Sequence, residues 1–250
     1  MKTAKLIFLI REFFFPRGCA LCGAALPDSE EAWYGLCQGC RKSLDKGDNP
    51  PEEPIERCSI CGKPLISEKD TCLSCRRAGE GESRDCERIC GRGCDRIAVV
   101  YPYSGQYRKL LGAYKFGKNP ALGHFLEEKI RDTINRLTSR AAALCPVPPR
   151  PGKIRKTGWD QVEYLAKLLE RDHLLVRRCL KRLPSRSQKT LDREHRLTNL
   201  KGRFIAVKKI PKEVILFDDV ITTGATLEAC AAALRAAGAE KVYGIALFYD

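Results

Sequence analysis

The sequence predicts an α/β domain with a parallel sheet, preceded by a small Cys-rich N-terminal module. Three observations predict it. Eight of the 14 Cys fall in four Cys-x-x-Cys pairs, and none of these pairs lies beyond residue 75. From Ile97 onward, apolar strand-like runs alternate with segments of helical periodicity. One of those runs, Val214-Ile215-Leu216-Phe217, carries no polar residue and feeds a loop of Asp, Thr and Gly that opens a helix.

The elements follow in chain order. Residues 1–16 carry Leu6, Leu9, Ile10, Phe13 and Phe14 near helical spacing, with Pro16 as a stop, and predict a short amphipathic helix docked on the body. Residues 17–95 form the Cys-rich module, and within it 45–57 include three prolines and predict a linker. Residues 96–250 form the α/β domain. Here Ile97–Tyr101 predicts a strand, about 105–115 and 120–137 predict helices, Ala141–Val147 a strand and Gly158–Arg171 a helix with Val162, Leu165, Ala166 and Leu169 on one face. Val214–Phe217 predicts a buried strand, Thr226–Ala237 an Ala-rich helix closed by Gly238, and Val242–Phe248 a last strand.

Composition bounds the function. A hydrophobic fraction of 44% supports a packed core and argues against wholesale disorder. A net charge of +14 favours anionic partners, whether phosphates, nucleotides, nucleic acid or an anionic membrane surface. The apolar run Leu6–Ile10 is stopped by Arg11 and Glu12, with no small-residue cleavage site after it, so a cytoplasmic chain is expected rather than an exported disulfide scaffold. No run reaches membrane-spanning length, and no stable membrane insertion is expected.

In the Cys-rich module, two thiolates two residues apart grip one ion from a single tight turn, the spacing zinc favours. Cys19, Cys22, Cys37 and Cys40 can make one four-thiolate site, and Cys58, Cys61, Cys72 and Cys75 a second. An interleaved pairing, first pair with third and second with fourth, is equally consistent with the spacing, and redox chemistry of the pairs is the rival use. A module with so little apolar sequence would draw folding free energy from its metal. Cys86, Cys90 and Cys94 read as free thiols of a local insertion, and Cys145 and Cys230, in apolar runs, as buried small residues. His124, His173 and His195 have no ligand spacing with any Cys pair.

The loop after Val214–Phe217 is the main candidate site. Ligands of open α/β sheets bind beyond the carboxyl ends of strands. A loop feeding a helix N-terminus offers unpaired N–H groups to a phosphate dianion. Gly224 allows close backbone approach, and Thr222, Thr223 and Thr226 add hydroxyl donors. Asp218 and Asp219 would repel that phosphate but can accept hydrogen bonds from two ribose hydroxyls, so the block reads as a sugar-phosphate site. The aspartates are expected to face solvent or ligand, not the core. Downstream of Pro146-Val147-Pro148, the cations Arg150, Lys153, Arg155 and Lys156 form a loop suited to a second anionic group, and Arg182 to Asn199 reads as a polar, basic lid. Gly158-Trp159-Asp160-Gln161 opens a helix whose N–H groups would point toward the same site.

Val214 to Thr226 resembles the phosphoribosyl-diphosphate (PRPP) motif of type I phosphoribosyltransferases, with nothing missing. The wider chain, from about Cys19 to its end, resembles the ComF family, which joins a cysteine zinc module to a phosphoribosyltransferase domain. Further blocks carry this likeness: Tyr103-Ser104-Gly105 with Leu110 and Lys115-Phe116-Gly117; Pro146-Val147-Pro148; Gly158-Trp159-Asp160-Gln161; and Gln188 with Leu191, Arg196 and Asn199. The family's usual Gly-Phe-Asn-Gln stands here as Gly158-Trp159-Asp160-Gln161, and Asp160 thereby brings a charge that weakens an anion site or meets a cation instead. The family's lid has a Thr a few residues before its Gln, and here Ser185 and Ser187 are the nearest hydroxyls to that place.

The resemblance implies the type I phosphoribosyltransferase fold with a double zinc ribbon. It implies PRPP held by Asp218 and Asp219 at the ribose and by Thr222, Thr223, Gly224, Ala225 and Thr226 at the 5-phosphate. Arg150, Arg155, Gly158, Gln161, Gln188 and Arg196 are then candidates for the pyrophosphate loop and lid. The expected function is magnesium-dependent phosphoribosyl transfer linked to DNA uptake in natural competence, with no residue identified as a general base. Residues 103–118 are the expected hood over the acceptor. The alternative is a non-catalytic accessory factor for single-stranded DNA, with PRPP as a sensed ligand and helicase or recombination proteins as partners. Residues 147–209 hold 18 Lys and Arg against 6 Asp and Glu, a stripe that suits either reading. The aromatics in it that could stack on bases are Trp159, Tyr164 and Phe204.

Overall fold

The computed structural model describes residues 18–46, 93–138, 142–184, 202–222 and 224–249. The expected helix of 1–16, the linker beyond Lys46, the second Cys set (Cys58, Cys61, Cys72, Cys75), Cys86, Cys90, His195, Gln188, Arg196 and Thr223 lie outside the described residues.

The chain first forms helices α1 (Ser29–Tyr34) and α2 (Gln38–Lys46). Asp28 caps α1 by accepting from Glu30 N at 2.7 Å, and Gly35, in the left-handed region, ends it. There follow β1 (Arg96–Pro102), α3 (Gly105–Lys115), α4 (Ala121–Leu137), β2 (Ala143–Pro146), α5 (Lys153–Thr157) and α6 (Gln161–Arg171). The short strands β3 (Leu180–Arg182) and β4 (Phe204–Ala206) precede β5 (Glu213–Ile221), α7 (Ala225–Ala236) and β6 (Lys241–Tyr249).

Four strands form one sheet in the order β1-β6-β5-β2, all parallel. The central strands β5 and β6 are buried on both faces, as continuous apolar runs require. Ile215, Phe217, Ile245 and Leu247 pack with α3, α4 and α6 on one face, through residues such as Leu110, Phe125, Ile130 and Leu165. Val214, Leu216, Val242 and Ala246 pack with Leu227, Cys230, Ala231 and Leu234 of α7 on the other. The antiparallel pair β3–β4 joins this second face, with Leu180 and Phe204 buried there.

The N-terminal helices dock on the first face. Leu36 and Leu44 are fully buried in its core. Trp33 stacks on His124 at 3.8 Å, Tyr34 Oη donates to Glu128 at 3.0 Å, and Tyr107 Oη donates to the Leu44 carbonyl at 3.0 Å. The Cys module and the sheet domain therefore share one packed interface over α3 and α4. No helix among the described residues is long and apolar enough to cross a membrane.

Candidate functional site

Three segments meet at the carboxyl end of β5. The strand does not stop at Phe217. It continues to Ile221, because β6 keeps pairing with it at Asp218↔Ala246, Val220↔Phe248 and Ile221↔Tyr249. Asp218 and Asp219 are thus strand residues, and the alternation of a strand puts them on opposite faces of the sheet. Asp219 is 8% exposed, so of the two faces expected for the aspartates, solvent or ligand, it does not face solvent.

Asp219 Oδ2 accepts from Lys115 Nζ and from Gln161 Nε2, both at 2.6 Å, while its Oδ1 accepts from Val220 N at 3.0 Å. Burial alone would raise this carboxyl, but the Lys115 charge and the two donors outweigh it and hold it below the usual carboxylate range. Asp218 Oδ1 accepts from Asp219 N at 2.9 Å. Burial, and then the charge of Asp219, push the Asp218 carboxyl well above the usual range. Arg182, at the end of β3, is half-buried over the Phe204 ring and within electrostatic reach of Asp218 and Arg150. Adjacent carboxylates are thereby driven apart in acidity, with Lys115 attending one face and Arg182 the other.

Gln161 extends the network. Its Oε1 accepts from Lys153 Nζ at 2.7 Å, and Lys153 Nζ also bonds Asp160 Oδ2 at 2.6 Å. Asp160 is the N-cap of α6 and accepts from Glu163 N at 2.9 Å. Its charge therefore meets a cation, and its other oxygen takes an N–H group that the sequence reading aimed at an anion. Tyr114 Oη donates to the Gln161 carbonyl at 2.7 Å, so α3 and α6 are tied together where Lys115 and Gln161 reach Asp219. Arg150, Arg155 and Gly158 are exposed on the loop and short helix beside this network, whereas Gln161 is buried within it.

After Ile221 the chain passes Thr222, which is exposed, to Gly224 at φ 74°, a conformation that disfavours any residue with a Cβ. Gly224 opens α7. A helix start of this kind is where a loop-bound anion meets backbone N–H groups. Ala225 is buried and Thr226 half-buried at the same turn.

Sequence reasoning marked Lys115 only as part of a motif and gave Arg182 and Lys153 no specific partner. A long-range ion pair such as Lys115–Asp219 leaves no spacing signal. The signal available was that an otherwise apolar, centrally placed strand ends on two adjacent acids, which require a cation nearby.

The Cys module holds a second site. The sulfur atoms of Cys19, Cys22, Cys37 and Cys40 all lie within 4.8 Å of one another. Cys22 and Cys37 are 3.7 Å apart, close to the edge of a tetrahedron with Zn–S bonds of about 2.3 Å. Cys40 N donates to Cys37 Sγ at 3.4 Å, a bond that supports a thiolate ligand. Burial alone would raise the Cys19 thiol, but hydrogen bonds from the backbone at Cys37, Cys22 and Leu21 bring it down to about 7. The set fits zinc, and it joins the first pair to the second rather than to the third. Cys145, Cys179 and Cys230 are buried in the core, as expected for the first and last of them. Burial, and then Asp95, push Cys94 up to about 12.

No family model matches the chain. It is 27% identical over 247 residues to Competence protein F of Haemophilus influenzae, covering 93% of this chain and 98% of that one. It is 23% identical over 209 residues to Competence protein ComFC of Streptococcus pneumoniae, covering 83% of this chain and 84% of that one. It is 25% identical over 240 residues to Competence protein ComFC of Bacillus subtilis, with 88% and 89% covered.

Proposed function

Because the chain belongs to the ComF family, and because β5 ends on two carboxylates of opposed acidity beside the start of α7, we propose that it binds PRPP and transfers its phosphoribosyl group, with magnesium, in a competence-related role in the cytoplasm. The observation that carries this reading is the succession Asp218-Asp219, Thr222, Gly224 and the α7 N-terminus, which offers a sugar and a phosphate adjoining places. The ribose 2- and 3-hydroxyls donate to Asp218 and Asp219. The 5-phosphate takes the N–H groups and hydroxyls from Thr222 to Thr226.

Lys115 keeps Asp219 ionised, and Gln161 fixes the orientation of its carboxylate. Arg150, Arg155 and Lys156 supply positive charge for the pyrophosphate, and Arg182 adds charge on the Asp218 side. The acids supply oxygen ligands of the kind magnesium takes, so the residues present fit the ion. The chemistry magnesium supplies when bound is neutralisation of charge on the departing pyrophosphate. The protein otherwise acts by positioning the donor.

The test is pyrophosphate release from magnesium-PRPP across nucleobases, amines and single-stranded DNA. Release with one acceptor class supports transfer. PRPP binding without release from any of them favours the second reading, an accessory factor for single-stranded DNA that senses PRPP and works with helicase or recombination proteins. The exposed cations of the 150–156 loop are the observation that favours that second reading.

A further inference from the structure

The loop cations do not share one environment. Arg150, Arg155 and Lys156 are exposed, but Lys153 is half-buried. Its Nζ donates to Asp160 Oδ2 at 2.6 Å and to Gln161 Oε1 at 2.7 Å. Both acceptors are held from elsewhere. Asp160 accepts from Glu163 N as the cap of α6, and its side chain is 4% exposed. Gln161 is 5% exposed, and its main-chain carbonyl takes the Tyr114 hydroxyl at 2.7 Å. What Gln161 keeps is the choice of which way its side-chain amide faces, since oxygen and nitrogen exchange places in a half-turn.

That amide lies between two carboxylates. Asp219 accepts from Lys115 Nζ through Oδ2 and from Val220 N through Oδ1, so both its oxygens are acceptors. Asp160 likewise accepts through both oxygens, from Lys153 and from Glu163. Each acid is therefore suited to take the NH2 of the amide. Lys153 settles the competition. An ammonium only donates, so it serves Asp160 and requires the amide oxygen on its own side. The NH2 is left for Asp219, and Gln161 Nε2 donates to Asp219 Oδ2 at 2.6 Å. With Lys153 gone, Gln161 Oε1 would face the buried Asp160 carboxylate, two acceptors with no proton between them. Turning the NH2 toward Asp160 would relieve that and take the donor from Asp219.

The ribose end of the site depends on this choice. Lys115 and Gln161 both donate to Asp219 Oδ2, whereas Oδ1 takes one backbone N–H, so the acceptor place left for a ribose hydroxyl is on Oδ1. The donors on Oδ2 aim it. We propose that Lys153 is a positioning residue for the ribose end: by serving Asp160 it commits the Gln161 amide to Asp219. This rests on the PRPP reading and deepens it, because it assigns Lys153 to the ribose and not to the cations that meet pyrophosphate.

The experiment measures magnesium-PRPP, ribose 5-phosphate with magnesium, and magnesium pyrophosphate by calorimetry. It uses the full chain, Lys153→Met, and Lys153→Met joined to Asp160→Asn. The joined variant leaves Asp160 no unpaired charge and offers the amide a weaker rival. The expected result is that Lys153→Met weakens PRPP and ribose 5-phosphate by one common factor, about tenfold, and leaves pyrophosphate unchanged. Adding Asp160→Asn should restore both to within about twofold of the parent. If Lys153→Met does not fold, the joined variant decides: parent-like ribose 5-phosphate affinity supports the proposal and its loss overturns it. Weakening of PRPP and pyrophosphate with ribose 5-phosphate unchanged would make Lys153 a pyrophosphate cation and overturn the proposal. So would parent-like affinity for all three ligands in Lys153→Met, or a loss of ribose 5-phosphate that Asp160→Asn does not restore. If PRPP binds the parent and ribose 5-phosphate does not, the ribose end has no affinity to position and the proposal falls while the PRPP reading stands. If PRPP itself fails to bind the parent, the PRPP reading falls and the role of Lys153 falls with it.

Discussion

At the scale of single residues, the charges of Lys115, Asp218 and Asp219 bear directly on one another. Lys115→Met leaves a buried carboxylate without its cation, held by Gln161 Nε2 and Val220 N. Losing one partner of a fully buried pair costs about 3–5 kcal/mol. Lys115 keeps 30% of its side chain exposed, so solvent screening brings the expected cost to about 1–3 kcal/mol at pH 7. Asp219 has its pKa lowered in the fold, so its stabilisation is complete above the ordinary carboxylate range and is lost as pH falls through the folded value. In Lys115→Met, burial acts unopposed and raises that carboxyl. The deficit of the variant, measured by urea denaturation, should therefore shrink as pH falls through the ordinary range; a deficit that does not change with pH would detach it from Asp219. Asp218 behaves oppositely. Its pKa is raised in the fold, so its ionised form costs stability above the folded value, and that cost vanishes below the ordinary range. Asp218→Asn is expected to hold or raise stability at pH 8, and Asp219→Asn to lower it. Changing both should weaken magnesium-PRPP by about 2–4 kcal/mol, one charge-assisted hydrogen bond each, read by calorimetry. This divides a pair that the sequence reading treated as equivalent and of little weight in folding.

At the scale of elements, helices with clear apolar periodicity were legible. The segment α3 spans Gly105–Lys115 and α4 Ala121–Leu137, as their spacing predicts. What escaped were elements whose partner is distant in sequence. Strand β5 reads as ending at Phe217, because two aspartates look like a loop, yet β6 carries the ladder four residues further. The β3–β4 pair falls partly within a segment read as an unanchored lid. Its buried anchors, Leu180 and Phe204, stand far apart in sequence and give no local alternation. The Cys spacing was legible as metal ligation, but not which pairs combine, since the choice depends on tertiary proximity. The structure joins Cys19 and Cys22 to Cys37 and Cys40. Cys40 lies on α2, whose Ser43 Oγ is 2.9 Å from Gln106 Oε1 on α3 and whose Leu44 carbonyl holds Tyr107. Elemental analysis is expected to find two zinc ions per chain, and Cys40→Ser to leave one. Because α2 braces the helix that ends in Lys115, the same variant should also lower the melting temperature and weaken PRPP. Full zinc content in Cys40→Ser would rule out this four-thiolate site.

At the scale of the whole molecule, the question is what the excess positive charge serves. The structure sorts the cations by partner. Lys115 and Lys153 are fixed on Asp219 and Asp160, and Arg178 on Glu163 and Glu170. Arg150, Arg155 and Lys156 are exposed and make no ion pair among the described residues, so they are the cations of the 150–156 loop available to an anion. Replacing those three with Ala while leaving Lys153 in place spares the Asp160–Gln161–Asp219 network and isolates the loop's charge. If the loop serves pyrophosphate, magnesium-PRPP affinity falls while binding of single-stranded DNA is little changed. If it serves DNA, the reverse holds, and the salt dependence of DNA binding flattens, because each lost phosphate contact removes a log–log slope of about 0.7. The first outcome is expected. The loop follows β2, which pairs with β5 at Pro146↔Phe217, and Val147 N donates to the Phe217 carbonyl at 2.8 Å, so the loop leaves the sheet beside the aspartates. Charge that close to a small site is worth most to a compact, multiply charged ligand, because the field of several cations converges on it. A DNA strand would spread the same charges along its length. Loss of DNA binding together with its salt slope, at unchanged PRPP affinity, would overturn the pyrophosphate assignment of the loop.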